Sequence, residues 1–376
     1  MSTPNLLYSD VEDDLRASVR GLLTDRGGPP AVLTRVESAE PYDLKLWRTL
    51  SAELGVAGLH VPENLGGQGA SARETALVME ELGRGLAPVP FLGSAVLATS
   101  ALLGADTSAE PVAALLRGLA SGEAIGTLLV PLSTGVGSGF TPSVRVEENV
   151  LTGTVRTVAD ATVADVFVVP ATGPDGTGLY EVSATGPGVT VAEVVPLDLT
   201  RRIADVTLDA ATATLLVGPA DAQGALDRAL LTGAGLLASE QLGVAQWCLD
   251  ETVAYVKQRY QFGRPVGSFQ ALKHRLADVW LALVAARAAA RYAADRLASE
   301  NETDTETGIA VALAQSYCAD VAVHAAEECV QLHGGIGMTW EHPAHLYLKR
   351  AKADQLALGT PGTHRGNLAG LIDLPG

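Results

Sequence analysis

Cysteine, aromatic side chains and positive charge are all scarce in this 376-residue chain, and each scarcity removes a class of function. Its three cysteines, Cys248, Cys318 and Cys329, stand inside apolar helical patterns without paired metal-ligand spacing. Buried, reduced thiols are therefore expected, with no disulfide framework and no metal site. Lysine and arginine number 26 against 43 acidic residues, a formal net charge of -17, so the basic excess needed to neutralise nucleic-acid phosphates is missing. The opening MSTPNLLYSDVEDDLRASVRGLL is polar and acidic where a secretion signal starts basic and then runs apolar, and a cytoplasmic protein is expected. Apolar stretches such as 308–316 are interrupted by Gln315, Tyr317 and Asp320, so no membrane-spanning segment is expected. What the chain does have is a 47% hydrophobic content, ample for a large core spread over two or three domains.

The pattern changes twice along the chain. Residues 9–120 carry helix-period segments, among them SDVEDDLRASVRGLL, YDLKLWRTLSAEL and SARETALVMEELGRGL, with Gly66, Gly67 and Gly69 in a loop between the last two. From about Ala124 to Gly218 come short alternating or β-branched runs such as SVRVEE, VLTGTVRTV, DVFVVP and GVTVAEVV, cut by Gly, Pro, Asn and Asp. From about Ala220 helices return and are long. One follows Leu236, Leu237, Val244, Leu249, Val253 and Val256; a second starts after 265–268, a third spans about 309–332 and a shorter one about 343–355. The expected organisation is an α+β fold with an N-terminal all-α domain (1–120), a middle antiparallel, β-barrel-like domain (121–218) and a C-terminal four-helix bundle (219–376).

Three segments are far more specific than this order of domains. GVAGLHVPENLGGQGASARETALVMEELGR (Gly55 to Arg84), QRYQFGRPVGSFQALKHRLADV (Gln258 to Val279) and QLHGGIGMTWEHPAHLYLKRAKADQL (Gln331 to Leu356) each resemble the matching stretch of the acyl-CoA dehydrogenase family. The resemblance runs through essentially the whole chain, densest in the bundle and thinnest in the β domain. It implies the acyl-CoA dehydrogenase fold, FAD as cofactor and an acyl-CoA substrate. In that family a carboxylate removes the α-proton of the thioester while the β-hydrogen leaves as hydride to the flavin. Such chemistry needs a placed carboxylate, an oriented flavin and donors on the thioester carbonyl. The family's R-x-x-F-G stretch and a following glutamine reach the pyrophosphate of a flavin seated in the neighbouring subunit; here they match Arg259, Phe262 and Gln270. An arginine suits that task because its planar, permanently charged fork grips phosphate oxygens. Gln331, Gly334 and Gly335 match the QxxGGxG turn that meets the ADP portion. Paired glycines allow φ > 0 and close backbone approach, and the same pair also serves as a helix C-cap.

The retained set is offset by losses. Counted without gaps from Gln331, the family's Y-E-G-T segment falls on Ala357, Leu358, Gly359 and Thr360, so leucine stands where the usual base is kept. Relatives that place the base on the first bundle helix have it where this chain has Gly233. The nearest acid on that helix is Glu240, a displaced base or a structural carboxylate. The loop at the family's ring-binding position reads VPLSTGVGSGF, where the Ser133 and Thr134 hydroxyls either solvate the turn, as loop hydroxyls usually do, or donate hydrogen bonds, and no tryptophan follows in the β strands. No catalytic residue is therefore assigned. The division implies a non-catalytic subunit of a two-chain α2β2 enzyme, similar to those acting on steroid side chains. A catalytic acyl-CoA dehydrogenase partner then supplies the base, and an electron acceptor reoxidises the flavin. A homomeric enzyme using Glu240 and a non-enzymatic acyl-CoA-binding scaffold are the alternatives.

Overall fold

A computed structural model describes residues 4–299 and 305–374. The N-terminal layer comprises α1 (Asp10–Asp25), α2 (Gly28–Val36), α3 (Leu44–Leu54) and α4 (Ala72–Gly85). Two of these starts are written in the sequence as S-x-x-E. Ser9 caps α1 while Glu12 returns a bond to the Ser9 amide, and Ser71 and Glu74 do the same for α4. The run Phe91–Ala98, apolar but for Ser94, forms a fully buried π-helical segment that continues into α5 (Thr99–Leu103), followed by α6 (Glu110–Ser121). A segment that is apolar on every side has no face to offer solvent, which is why it threads the core.

Eight strands follow: β1 (Gly126–Leu128), β2 (Arg145–Glu147), β3 (Val150–Ala159), β4 (Val166–Gly173), β5 (Gly176–Ser183), β6 (Val189–Val194), β7 (Ile203–Thr212) and β8 (Thr214–Val217). They pair in the order β6-β7-β3-β2-β4-β5-β8, with β1 alongside β4. Most pairings are antiparallel, as the short alternating runs predict. The sheet is nonetheless mixed, because β1 runs parallel to β4, placing Gly126 opposite Val166, and β2 meets β4 in parallel at Arg145 and Thr172. The run VFVVPA in β4 is buried on both faces, and the β domain keeps its own core around Phe167, Val155 and Leu208.

The C-terminal part is built on α7 (Ala222–Gln258), a small hairpin of β9 (Tyr260–Gln261) and β10 (Arg264–Pro265), then α8 (Gln270–Leu297), α9 (Thr305–His333) and α10 (Ala344–Leu356). A further helix, α11 (Pro361–Leu371), lies outside the four expected. Its three glycines weaken the helical signal, although Thr360, which caps the Thr363 amide, and Pro361 at the first helical position mark its start. The polar break expected before α9 falls partly on 301–304, outside the described residues. α7 is the central strut: it packs on α8, α9, α10 and, from the N-terminal layer, α4. The α4 crossing is close enough to require glycine, since a Cβ on Gly243 would stand 1.9 Å from the Glu80 carbonyl oxygen. One core therefore runs through the N-terminal helices and the bundle together. By length and composition α9, continued to Met338, is apolar enough to cross a membrane, but 72% of its apolar window is buried inside this bundle. Its apolarity is spent on its neighbours.

Candidate functional site

The six residues matched to flavin contact gather at one end of the bundle. α7 ends at Gln258 with Arg259 as its C-cap, the β9–β10 hairpin follows, and α8 begins at Gln270. α9 reaches the same end, because Tyr255 of α7 stacks on His333, the last residue of α9, at 4.3 Å. Gln331 and the Gly334–Met338 turn therefore lie at the same end of the bundle as the hairpin. Arg259, Phe262, Gln270, Gln331, Gly334 and Gly335 are all exposed. Phe262 is the most telling, being 87% exposed with φ +54°, next to Gly263 at φ +77°. Two positive-φ residues suit a tight hairpin turn, but a phenylalanine there costs about 1–2 kcal/mol. An apolar ring held outward at that cost points to an external partner for it. Behind it, Phe269 meets the Phe262 ring edge-on at 6.1 Å and carries the Arg264 guanidinium 3.8 Å above its own ring. A Cβ at Gly334 or Gly335 would meet nothing within 4 Å, and Gly334 has φ +64°, so this turn presents open backbone to whatever covers it.

At the family's base positions the arrangement is the reverse. Leu358 is fully buried with φ +53°, its N–H donates to the Leu132 carbonyl at 2.7 Å, and its own carbonyl accepts from His364 Nε2 at 2.9 Å. The two base positions, distant in sequence, converge in space: a Cβ on Gly233 would stand 3.0 Å from Leu358 Cδ1 and 2.5 Å from Leu97 Cδ2. Leucine side chains fill the place where either carboxylate would project. The loop expected to lie by a flavin ring is packed onto this turn, with Gly135 against the Gly359 backbone and the Thr134 amide closing a turn on Pro131. A cavity of about 800 Å³ lies at the junction of α7, α9 and α11, lined by Val136, Arg228, Leu231, His364, Asn367 and Leu371, and neither Leu358 nor Gly233 opens into it.

Glu240 is buried in a charge network. Arg201 Nη2 donates to both of its carboxylate oxygens, at 2.8 and 2.7 Å, and Arg350 Nη1 donates at 2.6 Å. Arg201 also holds Asp354 at 2.5 Å, while Arg350 holds Asp198 at 2.5 Å and the Thr200 hydroxyl at 2.6 Å. Burial pushes the Glu240 carboxyl upward, but the two guanidiniums outweigh it and hold it below its ordinary value. Asp354 goes the other way, driven well above its usual range by burial and by the Glu240 charge, and its Oδ2 has no hydrogen-bond partner among the described residues. A carboxylate saturated by two arginines is a poor proton acceptor. The network instead ties the segment before β7 to α7 and α10. Sequence reasoning noticed Glu240 but missed Arg201, Asp198 and Asp354, which lie in segments far from Glu240 along the chain and carry no local motif. The three cysteines are free and buried, as expected.

Residues 9–123 match the acyl-CoA dehydrogenase N-terminal domain and residues 224–371 the acyl-CoA dehydrogenase C-terminal domain. The acyl-CoA dehydrogenase IpdE2 of Mycolicibacterium smegmatis is 38% identical over 353 residues, covering 94% of this chain and 96% of its own. The Mycobacterium tuberculosis protein of the same name is 39% identical, covering 92% of each. Among solved structures, the ChsE4-ChsE5 complex of Mycobacterium tuberculosis superposes with TM-score 0.86 at 29% identity, over 99% of this chain and 100% of that one. A variant of the Tcur3481-Tcur3483 steroid ACAD gives TM-score 0.85 at 31% identity, over 97% and 98%. With both terminal domains matched and close relatives aligned along nearly the full length, the chain belongs to the acyl-CoA dehydrogenase family.

Proposed function

We propose that this chain is the non-catalytic subunit of a heteromeric, FAD-dependent acyl-CoA dehydrogenase. The observation that carries this reading is the contrast between two places in one molecule. Leu97 and Leu358 close the space at both base positions, while the hairpin and the Gly334–Gly335 turn stand open at the bundle end. When bound, FAD supplies the hydride acceptor for α,β-dehydrogenation. Arg259 and the exposed glycine amides offer a grip for its pyrophosphate, Phe262 an apolar contact, and Gln270 and Gln331 neutral hydrogen-bonding groups for the ADP half. All of them point away from this chain's own core, which suits a flavin seated in a neighbour. The partner then brings the base and the acyl pocket. Two of the solved relatives are complexes of two differently named chains, which supports a heteromer, and the name steroid ACAD supports a steroid acyl-CoA substrate, with other bulky or branched acyl-CoA next. A homomeric enzyme with Glu240 as base is disfavoured by the two arginines that occupy it. The test is flavin retention. Arg259→Ala should strip FAD from the complex while leaving this chain folded, and equal retention would count against the clamp.

A further inference from the structure

Below the Gly334–Gly335 turn, three side chains from three elements meet: Glu251 of α7, His333 at the end of α9, and His342 in the segment leading into α10. Each brings one ligand atom, and these atoms lie within 4.8 Å of one another. We propose that they form a divalent transition-metal site, suited to Zn²⁺, that fastens this end of the bundle.

His333 carries the argument. Its side chain is 2% exposed, and its Nδ1 lies 2.7 Å from the Cys329 carbonyl, a contact that places the proton on Nδ1. Nε2 then bears a lone pair, and it is buried without a hydrogen-bond partner among the described residues. Buried acceptors are rarely left unpaired, and one that is asks for a ligand. A histidine that spends Nδ1–H on a backbone carbonyl and leaves Nε2 free is oriented as metal-bound histidines are. The ring of His342 lies 4.4 Å from that of His333, and its Nε2 is 3.7 Å from Glu251 Oε1, too long for a hydrogen bond. Its Nδ1 accepts from the Ala344 amide at 3.2 Å, so the metal-free ring carries its proton on Nε2. Ligation through Nε2 moves that proton to Nδ1 and gives up the Ala344 contact. Two imidazoles and a carboxylate favour zinc over calcium or magnesium, and the part-exposed Glu251 leaves a fourth position for water. The expectation of no metal site rested on cysteine spacing, which says nothing of histidines brought together by three helix ends.

The experiment uses the complex prepared without a polyhistidine tag, stripped with chelator and dialysed against low-micromolar free Zn²⁺. Elemental analysis should find one zinc per copy of this chain lost in Glu251→Gln and in His342→Asn, with affinity reduced about 10-fold or more. Both residues lie outside the fully buried core, Glu251 with 40% and His342 with 14% of its side chain exposed, whereas His333 lies within it. Zinc should raise the melting temperature of the wild-type complex and leave that of both variants unmoved. Equal zinc uptake by wild type and variants, or no uptake and no thermal response in the wild type, overturns the site.

Discussion

Replacing Glu240 by glutamine separates a structural carboxylate from a displaced catalytic base. The substitution keeps the shape but removes the charge that neutralises Arg201 and Arg350, both nearly fully buried. Removing one partner from a buried pair costs about 3–5 kcal/mol. Asp354 offsets part of this, because after burial the Glu240 charge is the largest cause raising its carboxyl, and losing that charge favours its ionisation beside Arg201. The lower end, about 3 kcal/mol, is expected. At about 2.1 cal/mol/K per residue the unfolding entropy of this chain is roughly 0.8 kcal/mol/K, so the melting temperature should fall by about 4 °C. Differential scanning calorimetry measures the fall, and stopped-flow flavin reduction by an acyl-CoA on the same complex measures catalysis. The structural reading predicts a destabilised complex whose flavin is still reduced by substrate. An unshifted melting temperature together with abolished flavin reduction would refute it and restore Glu240 as the base.

Further expectations follow from the same network and from the bundle end. Asp354 has a raised folded pKa, so its contribution to stability is complete below the ordinary carboxylate range and is lost as pH rises through the folded value. Asp354→Asn should therefore flatten the decline of melting temperature with rising pH, and an unchanged slope would show that Asp354 does not carry it. Gly334→Ala meets no steric obstacle but must hold φ +64°, which should cost about 1 kcal/mol and weaken flavin retention more than it weakens folding. Leu358→Glu places a carboxylate in a fully buried position; it should destabilise the chain by several kcal/mol and create no second active site. Appearance of a second reducible flavin in that variant would contradict the closed-site reading.

Legibility in the sequence followed how local each signal was. The capping boxes at Ser9 and Ser71 are contained in four residues and mark their helices unaided. The segments around Arg259 and Gln331 are likewise contiguous, so their chemistry could be named before their meeting at one bundle end was known. What could not be read was convergence. Gly233 and Leu358 lie 125 residues apart in sequence, and only the packing of α7 against the turn after α10 shows that they meet. The Arg201–Glu240–Arg350 network escaped for the same reason, since its members come from three segments far apart in sequence. The parallel entry of β1 beside β4 was hidden because the alternation of a strand says nothing of its neighbour's direction.

Flavin stoichiometry in the purified complex tests the division of labour most directly. If this chain only clamps a flavin seated in its partner, the chain alone is colourless or faintly yellow, and the co-expressed complex holds one FAD per pair of unlike chains. Quantifying released FAD by absorbance against the mass of the assembly should give that ratio of one. A ratio of two, or a yellow, active assembly of this chain by itself, would contradict the account.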